Sequence, residues 1–217
     1  MSGDWPASIE EARAIQEQLR HEVVTEGDPG PVRRIAGVDA HVSPSAGLTW
    51  AAIAVVDFPS LELEESALAA VPTRFPYVPG YLSFREAPAV LEALALLRTP
   101  PDLLMVDGHG IAHPRGVGIA AHLGVAAGLP SIGVAKSRLV GRFAEPGPGK
   151  GEHSPLFIGD EVVGTVLRSR ERARPLFVST GHRISLDRAV ALVLACLTRY
   201  RLPEPTRLAD RVSRMHP

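Results

Sequence analysis

A single cysteine, Cys196, stands in 217 residues, which rules out an intrachain disulfide. It lies in the apolar stretch Ala189–Leu197, where a reduced core thiol is expected. No run of about 18 apolar residues is present, so no transmembrane helix and no membrane partner are expected. The segment from Met1 to Glu26 is acidic and lacks an apolar signal core, which points to a cytoplasmic protein. A strong positive balance is missing too. The formal net charge is −1, unlike that of a generic basic nucleic-acid binder. Lysine is scarce, with 2 lysines (Lys136 and Lys150) against 21 arginines.

What is present is ordinary in bulk and uneven in detail. At 45% hydrophobic and 22% charged residues, the composition is that of a globular protein. The length suits one α/β domain spanning residues 1–217. Residues 1–110 hold 7 Arg or Lys against 16 Asp or Glu, while residues 111–217 hold 16 against 8. Such asymmetry suggests a face for a polyanion, unless folding mixes the two halves. Against the arginine bias, a lysine marks a place where a compact, flexible ammonium is wanted. Lys150 lies in the Gly/Pro loop 146–151, whereas Lys136 follows an apolar strand and is the better candidate.

Ser8 and Glu11 fit a capping box that opens a helix towards Val24. Strands are predicted at Arg34–His41, Leu48–Phe58 and Leu61–Ala70, with connections short enough for an antiparallel meander. A Pro-rich loop over 72–80 leads to a helix from Ser83 to Leu97 that contains Pro88. Strands at Leu103–Val106 and Ser131–Ala135 flank a helix near Val117–Ala127. A loop is predicted over 142–155. Val162–Arg168 and Leu176–Ser179 read as a hairpin pair. A helix capped by Ser185 runs to Tyr200, and Thr206 caps a last helix to Arg214. The order predicts an α/β fold, a mixed sheet of an antiparallel three-strand meander plus parallel strands, flanked by helices.

Two carboxylates stand out. Asp39 lies inside a strand that should be central, where a charge is costly unless paired or bound to a metal. Alternation sets it on one side with Gly37 and His41. Arg33 or Arg34 could instead pair with it. Asp107 ends Leu103–Val106, and ligands bind beyond the carboxyl ends of such strands. Gly108 and Gly110 would let backbone amides approach a ligand, although Asp107 could also simply open a turn. As neighbours on parallel strands, the two could share Mg²⁺ or Mn²⁺, a combination suited to phosphodiester hydrolysis. Zinc on His109 and His113 is a weaker reading, because Gly108, Gly110 and Pro114 disfavour the helix it needs. Residues 147–151 lack the Gly-Lys-Ser/Thr ending of a phosphate loop.

Five segments, in order and spanning residues 35 to 210, together resemble endonuclease V, the deoxyinosine 3′ endonuclease family. They are Ile35-Ala-Gly-Val-Asp39; Phe75-Pro-Tyr-Val-Pro-Gly80 running into Phe84-Arg-Glu86; Asp107-Gly-His-Gly-Ile-Ala-His-Pro114; Gly133-Val-Ala-Lys-Ser-Arg-Leu139; and Pro203-Glu-Pro-Thr-Arg-Leu-Ala-Asp210. The resemblance implies a ribonuclease-H-like fold. It implies Mg²⁺-dependent cutting, with Mn²⁺ able to substitute, at the second phosphodiester bond 3′ to deoxyinosine. The products would carry 3′-hydroxyl and 5′-phosphate ends.

Carried over by position, Asp39 and Asp107 would ligate the metal. Glu86 would complete the acidic site. Asp210, a position that can be histidine in the family, would join it. Lys136 would sit beside the reacting phosphate. Tyr77, with Pro79 and Gly80, would wedge into the duplex, and Val78 stands where isoleucine is commoner. Gly108, His109 and Gly110 would line a pocket for the flipped base, with His113 contacting substrate or bracing the loop. The run Arg168, Arg170, Arg172, Arg174 could hold phosphates or be a solvated hairpin tip. His182 receives no role. Implied partners are deoxyinosine-containing DNA and, as the alternative, inosine-containing RNA, bound by a monomer.

Overall fold

The computed structural model describes residues 5–215; the first four residues of the acidic N-terminal segment and the last two of the chain lie outside it. The elements are α1 (Ile9–Glu22), β1 (Arg34–Ser43), β2 (Leu48–Asp57), β3 (Leu63–Pro72), α2 (Leu82–Ala95), β4 (Leu103–Val106), α3 (Ile119–Ala127), β5 (Ser131–Ala135), β6 (His153–Ile158), β7 (Glu161–Leu167), β8 (Leu176–His182), α4 (Leu186–Ala195) and α5 (Glu204–Ser213). The strands form one sheet in the order β3-β2-β1-β4-β5-β8-β7-β6. Strands β1 to β3 make the antiparallel meander, β1, β4 and β5 run parallel, and the remaining neighbours are antiparallel. This is the mixed, ribonuclease-H-like sheet expected.

Alternation divides the core. Ile35, Met105, Ile132 and Val178 face a cluster with Ala189, Val193 and Leu208 of α4 and α5. Ala36, Val38, Leu104 and Val106 face the other way, onto Ala87, Val90 and Ala93 of α2 and Leu123 of α3. The short β4 and β5 are fully buried, as strands covered on both faces must be. Gly37 is needed for α5 to seat on β1, because a Cβ there would stand 1.9 Å from the Pro205 carbonyl oxygen. No helix among the described residues is long and apolar enough to cross a membrane.

Three details differ from the sequence reading. Residues 153–158 are a strand, β6, whose first residues, 153–155, fall in the span predicted as loop. It pairs with β7 at the sheet margin, where among the described residues its outer side pairs only with Arg142, at Phe157, so Pro155 is tolerated. The predicted antiparallel pairing of β7 with β8 is present across the connection 168–175, and β6 adds to the other side of β7. Thr206 does not cap α5. Pro203 holds the cap position, and the Thr206 hydroxyl, inside the first turn, donates to the Pro203 carbonyl at 3.0 Å. Helix α4 ends at Ala195 rather than Tyr200, with Cys196 as its cap residue.

Candidate active site

The register of β1 with β4 pairs Val38 with Val106, and the Asp107 amide donates to the Val38 carbonyl at 3.0 Å. The next residues, Asp39 and Asp107, therefore stand side by side at the carboxyl edge of the sheet. Asp39 lies on the Gly37 side, towards α5. It makes no ion pair with Arg34, which is engaged by Glu64 and Glu65, and the Arg33 and Arg34 amides donate to Asp102 instead. Helix α5 brings Asp210 to the same spot, where Asp39, His41, Asp210 and Arg214 line one open pocket. Glu86 approaches from α2 on the opposite face.

The charges are poorly balanced. Burial, with Asp39 and then Asp107 nearby, pushes the Glu86 carboxyl up to about 8, against a small opposing effect of Arg85. Burial also raises Asp107, although Lys136 pairs with it directly and opposes the shift. Burial acts to lower the Lys136 ammonium, but Asp107, Asp39 and Asp210 outweigh it and the net shift is upward. Asp210 lies 3.8 Å from Lys136 and 3.0 Å from Arg214.

Among the described residues no group of three or more His, Cys, Asp or Glu is closed tightly enough to enclose a metal ion. The chemistry of the donors nevertheless fits a hard divalent cation. All are carboxylate oxygens, and the Asp39 and Asp107 charges add to the burial that already raises the Glu86 carboxyl.

Beside this centre lies a pocket of about 250 Å³. Tyr77, Pro79 and Gly80 form one wall, and Gly108, His109 and His113 lie opposite. Gly108 and Ser137 line it, while their neighbours Asp107 and Lys136 form the ion pair, so pocket and centre share a wall. Tyr77 is 70% exposed, too open for a packing aromatic, with the Arg85 guanidinium 6.0 Å from its ring centre. His113 is buried, and its Nδ1 accepts the Arg115 amide at 3.2 Å. Burial, and then the Arg115 charge, depress it to about 4, so the ring is neutral near pH 7.

The chain belongs to the endonuclease V family. The sequence model described as Endonuclease V matches residues 17–211. An endonuclease V of Roseiflexus sp. is 56% identical over 209 residues, 96% of this chain and 93% of that protein. The crystal structure of the endonuclease V of Streptomyces avermitilis superposes with a TM-score of 0.92 at 46% identity, covering 97% of this chain and 93% of that one. The Ciona intestinalis endonuclease V, solved in complex with a 24-mer DNA containing an inosine followed by a ribo-adenosine, gives a TM-score of 0.83 at 29% identity, covering 95% and 96%. Membership makes the chain a nuclease of the hydrolase class.

In this chain the structure brings Asp39, Glu86, Asp107, Lys136 and Asp210 together. It places Gly110 behind the pocket rather than on its wall, with its amide taken by the Ser179 hydroxyl at 2.9 Å. His109 and His113 lie on an irregular loop, with no helix to set a zinc spacing. Arg168 leaves the phosphate-binding run. It is buried, and its guanidinium donates to Gly147, Pro146, Ala173 and Glu145, stitching two loops together. His182 is structural, its Nδ1 accepting the Val24 amide at 3.2 Å.

Sequence reasoning missed Arg201, which donates to the carbonyls of Lys136 at 2.8 Å and Pro175 at 3.0 Å and steadies the lysine backbone. It also missed Gln16 and Arg115. Gln16 lies in a helix otherwise rich in Glu and Arg, and only its burial distinguishes it.

Proposed function

We propose that this protein is a DNA repair endonuclease that nicks the second phosphodiester bond 3′ to deoxyinosine, leaving 3′-hydroxyl and 5′-phosphate ends. One observation carries the reading: an uncompensated acidic centre with its lysine shares a wall with a pocket sized for a base and fronted by an exposed tyrosine. The Ciona relative, bound to inosine-containing DNA, supports the substrate class.

In this reading Asp39 and Asp107 hold Mg²⁺, or Mn²⁺ in its place, with Glu86 and Asp210 completing the acidic shell. The bound ion would supply Lewis acidity and a water of lowered pKa. The chain's own residues do the rest. Tyr77 stacks beside the lesion, held stiff by Pro76 and Pro79. The Gly108 and His109 segment and neutral His113 wall the flipped base. Lys136 offsets the negative charge of the phosphate that must approach four carboxylates. Glu86, with its raised proton affinity, can hold a proton at its carboxyl until that charge is offset.

A labelled duplex with one deoxyinosine, incubated with Mg²⁺ or with EDTA, tests this. The expected product is a Mg²⁺-dependent nick one nucleotide beyond the lesion on its 3′ side. Cutting only of a matched inosine-containing RNA would move the substrate to RNA, and cutting of neither would overturn the catalytic reading.

A further inference from the structure

The pocket wall Tyr77–Gly80 has no secondary structure of its own, yet one of its carbonyls is tightly held. Gly80 sits at φ +80°, which L side chains rarely adopt, and a Cβ there would stand 2.6 Å from the Arg115 guanidinium. The Gly80 carbonyl accepts from Arg115 at 2.5 Å and from the Gln16 amide at 2.9 Å, and the His113 ring also faces it. Gln16 lies in α1, 64 residues away in the chain, and is 1% exposed. Its side-chain oxygen accepts from Arg115 Nε at 2.5 Å, and its amide lies 3.5 Å from the Val117 carbonyl. Arg115 also stacks over the Tyr81 ring at 4.1 Å. Both walls of the pocket, and the helix that touches neither substrate nor metal, thus meet at one carbonyl.

We infer that Gln16 and Arg115 are positioning residues for lesion recognition, a clamp by which α1 holds the Tyr77–Gly80 loop in the conformation that shapes the base pocket. The inference rests on the functional reading above and deepens it. A buried amide whose oxygen and nitrogen are both engaged cannot be replaced without leaving partners unsatisfied. Gln16→Glu tests the point, because it keeps the shape and the Arg115 contact but turns a carboxylate oxygen towards two carbonyl oxygens. Arg115→Lys keeps the charge and loses the fork. Gln18→Ala, on the exposed side of the same helix, is the control.

The measurements are steady-state and single-turnover cutting of inosine and adenine strands, and hydrogen exchange of the Tyr81 amide, which donates to Val78 at 3.0 Å. For Gln16→Glu and Arg115→Lys, KM for the inosine strand should rise about tenfold, as for loss of one or two buried hydrogen bonds. The single-turnover maximal rate should stay within about twofold, since the acidic centre is untouched. Exchange at Tyr81 should quicken while the β1 and β4 amides stay protected. Unchanged KM and discrimination in both variants would overturn the inference, as would a raised KM with wild-type exchange at Tyr81. If the unmodified protein itself failed to distinguish inosine from adenine, the functional reading would fall and the recognition role with it. Tyr81 exchange in the variants would still decide whether the clamp holds the loop.

Discussion

The acidic centre and the base pocket share a wall and are built in opposite ways. At the centre, Asp39, Glu86 and Asp107 are gathered, and burial, together with the Asp39 and Asp107 charges, pushes Glu86 up to about 8. At the pocket, Gln16, Arg115 and Gly80 satisfy one another, and His113 is held neutral by burial, pushed down to about 4. The first region gathers like charges that, in the proposed function, a divalent cation would offset. The second is a mould that is complete without ligand. The difference teaches where each kind of residue change should register: charge changes at the centre affect chemistry and can relieve strain, whereas changes at the pocket affect recognition.

The sharpest way to break the comparison is at the centre. Asp39→Ala should lower cutting of the inosine strand on the order of 10³-fold while circular dichroism stays unchanged. Retained activity would remove Asp39 from the metal-site assignment.

Two buried groups, His122 of α3 and Glu86 of α2, should also respond oppositely to pH. His122 is fully buried, and its depressed pKa stabilises the fold fully above about 6.5. That contribution is lost as pH falls through about 4, roughly 3 kcal/mol in all. His122→Phe should flatten this acid limb in thermal melts, and an unaltered limb would mean other groups govern it.

Glu86 runs the other way. Its raised pKa makes the stability present below about 4.5 fade as pH rises through about 8. In EDTA, Glu86→Gln should therefore melt several degrees above the unmodified protein at pH 9 and equal it near pH 4. This gap corresponds to a few kcal/mol after solvent screening. A gap independent of pH would show that the Glu86 carboxyl is not raised in the folded protein. The smallest expected effect is at the wedge. Tyr77→Ala should reduce discrimination of inosine from adenine about tenfold, the worth of one stacked base, with Mg²⁺ dependence unaltered.

Much of the centre was legible because each clue is local. A strand interrupted by a carboxylate, a strand ending in one and a lysine against an arginine bias mark Asp39, Asp107 and Lys136 without any knowledge of contacts. The meander was legible for the same reason, since period-two alternation and short turns are short-range signals. Strand β6 was not, because an edge strand needs only one paired side and can carry Pro155. Gln16 and Arg115 were not, because a glutamine among helical charges looks solvated until burial is known.

The sequence by itself thus determined the element types, the carboxylates fit for a hard cation and, through its five ordered segments, the family. Only the tertiary structure decided that Glu86 crosses from the far face of the sheet, that α5 carries Asp210 over Gly37, and that α1 reaches the pocket through Gln16. The physical reason is range. Helix and strand periods repeat within a few residues, whereas like charges are brought together, and a distant amide and carbonyl are matched, by strand register and helix packing, which no local pattern encodes.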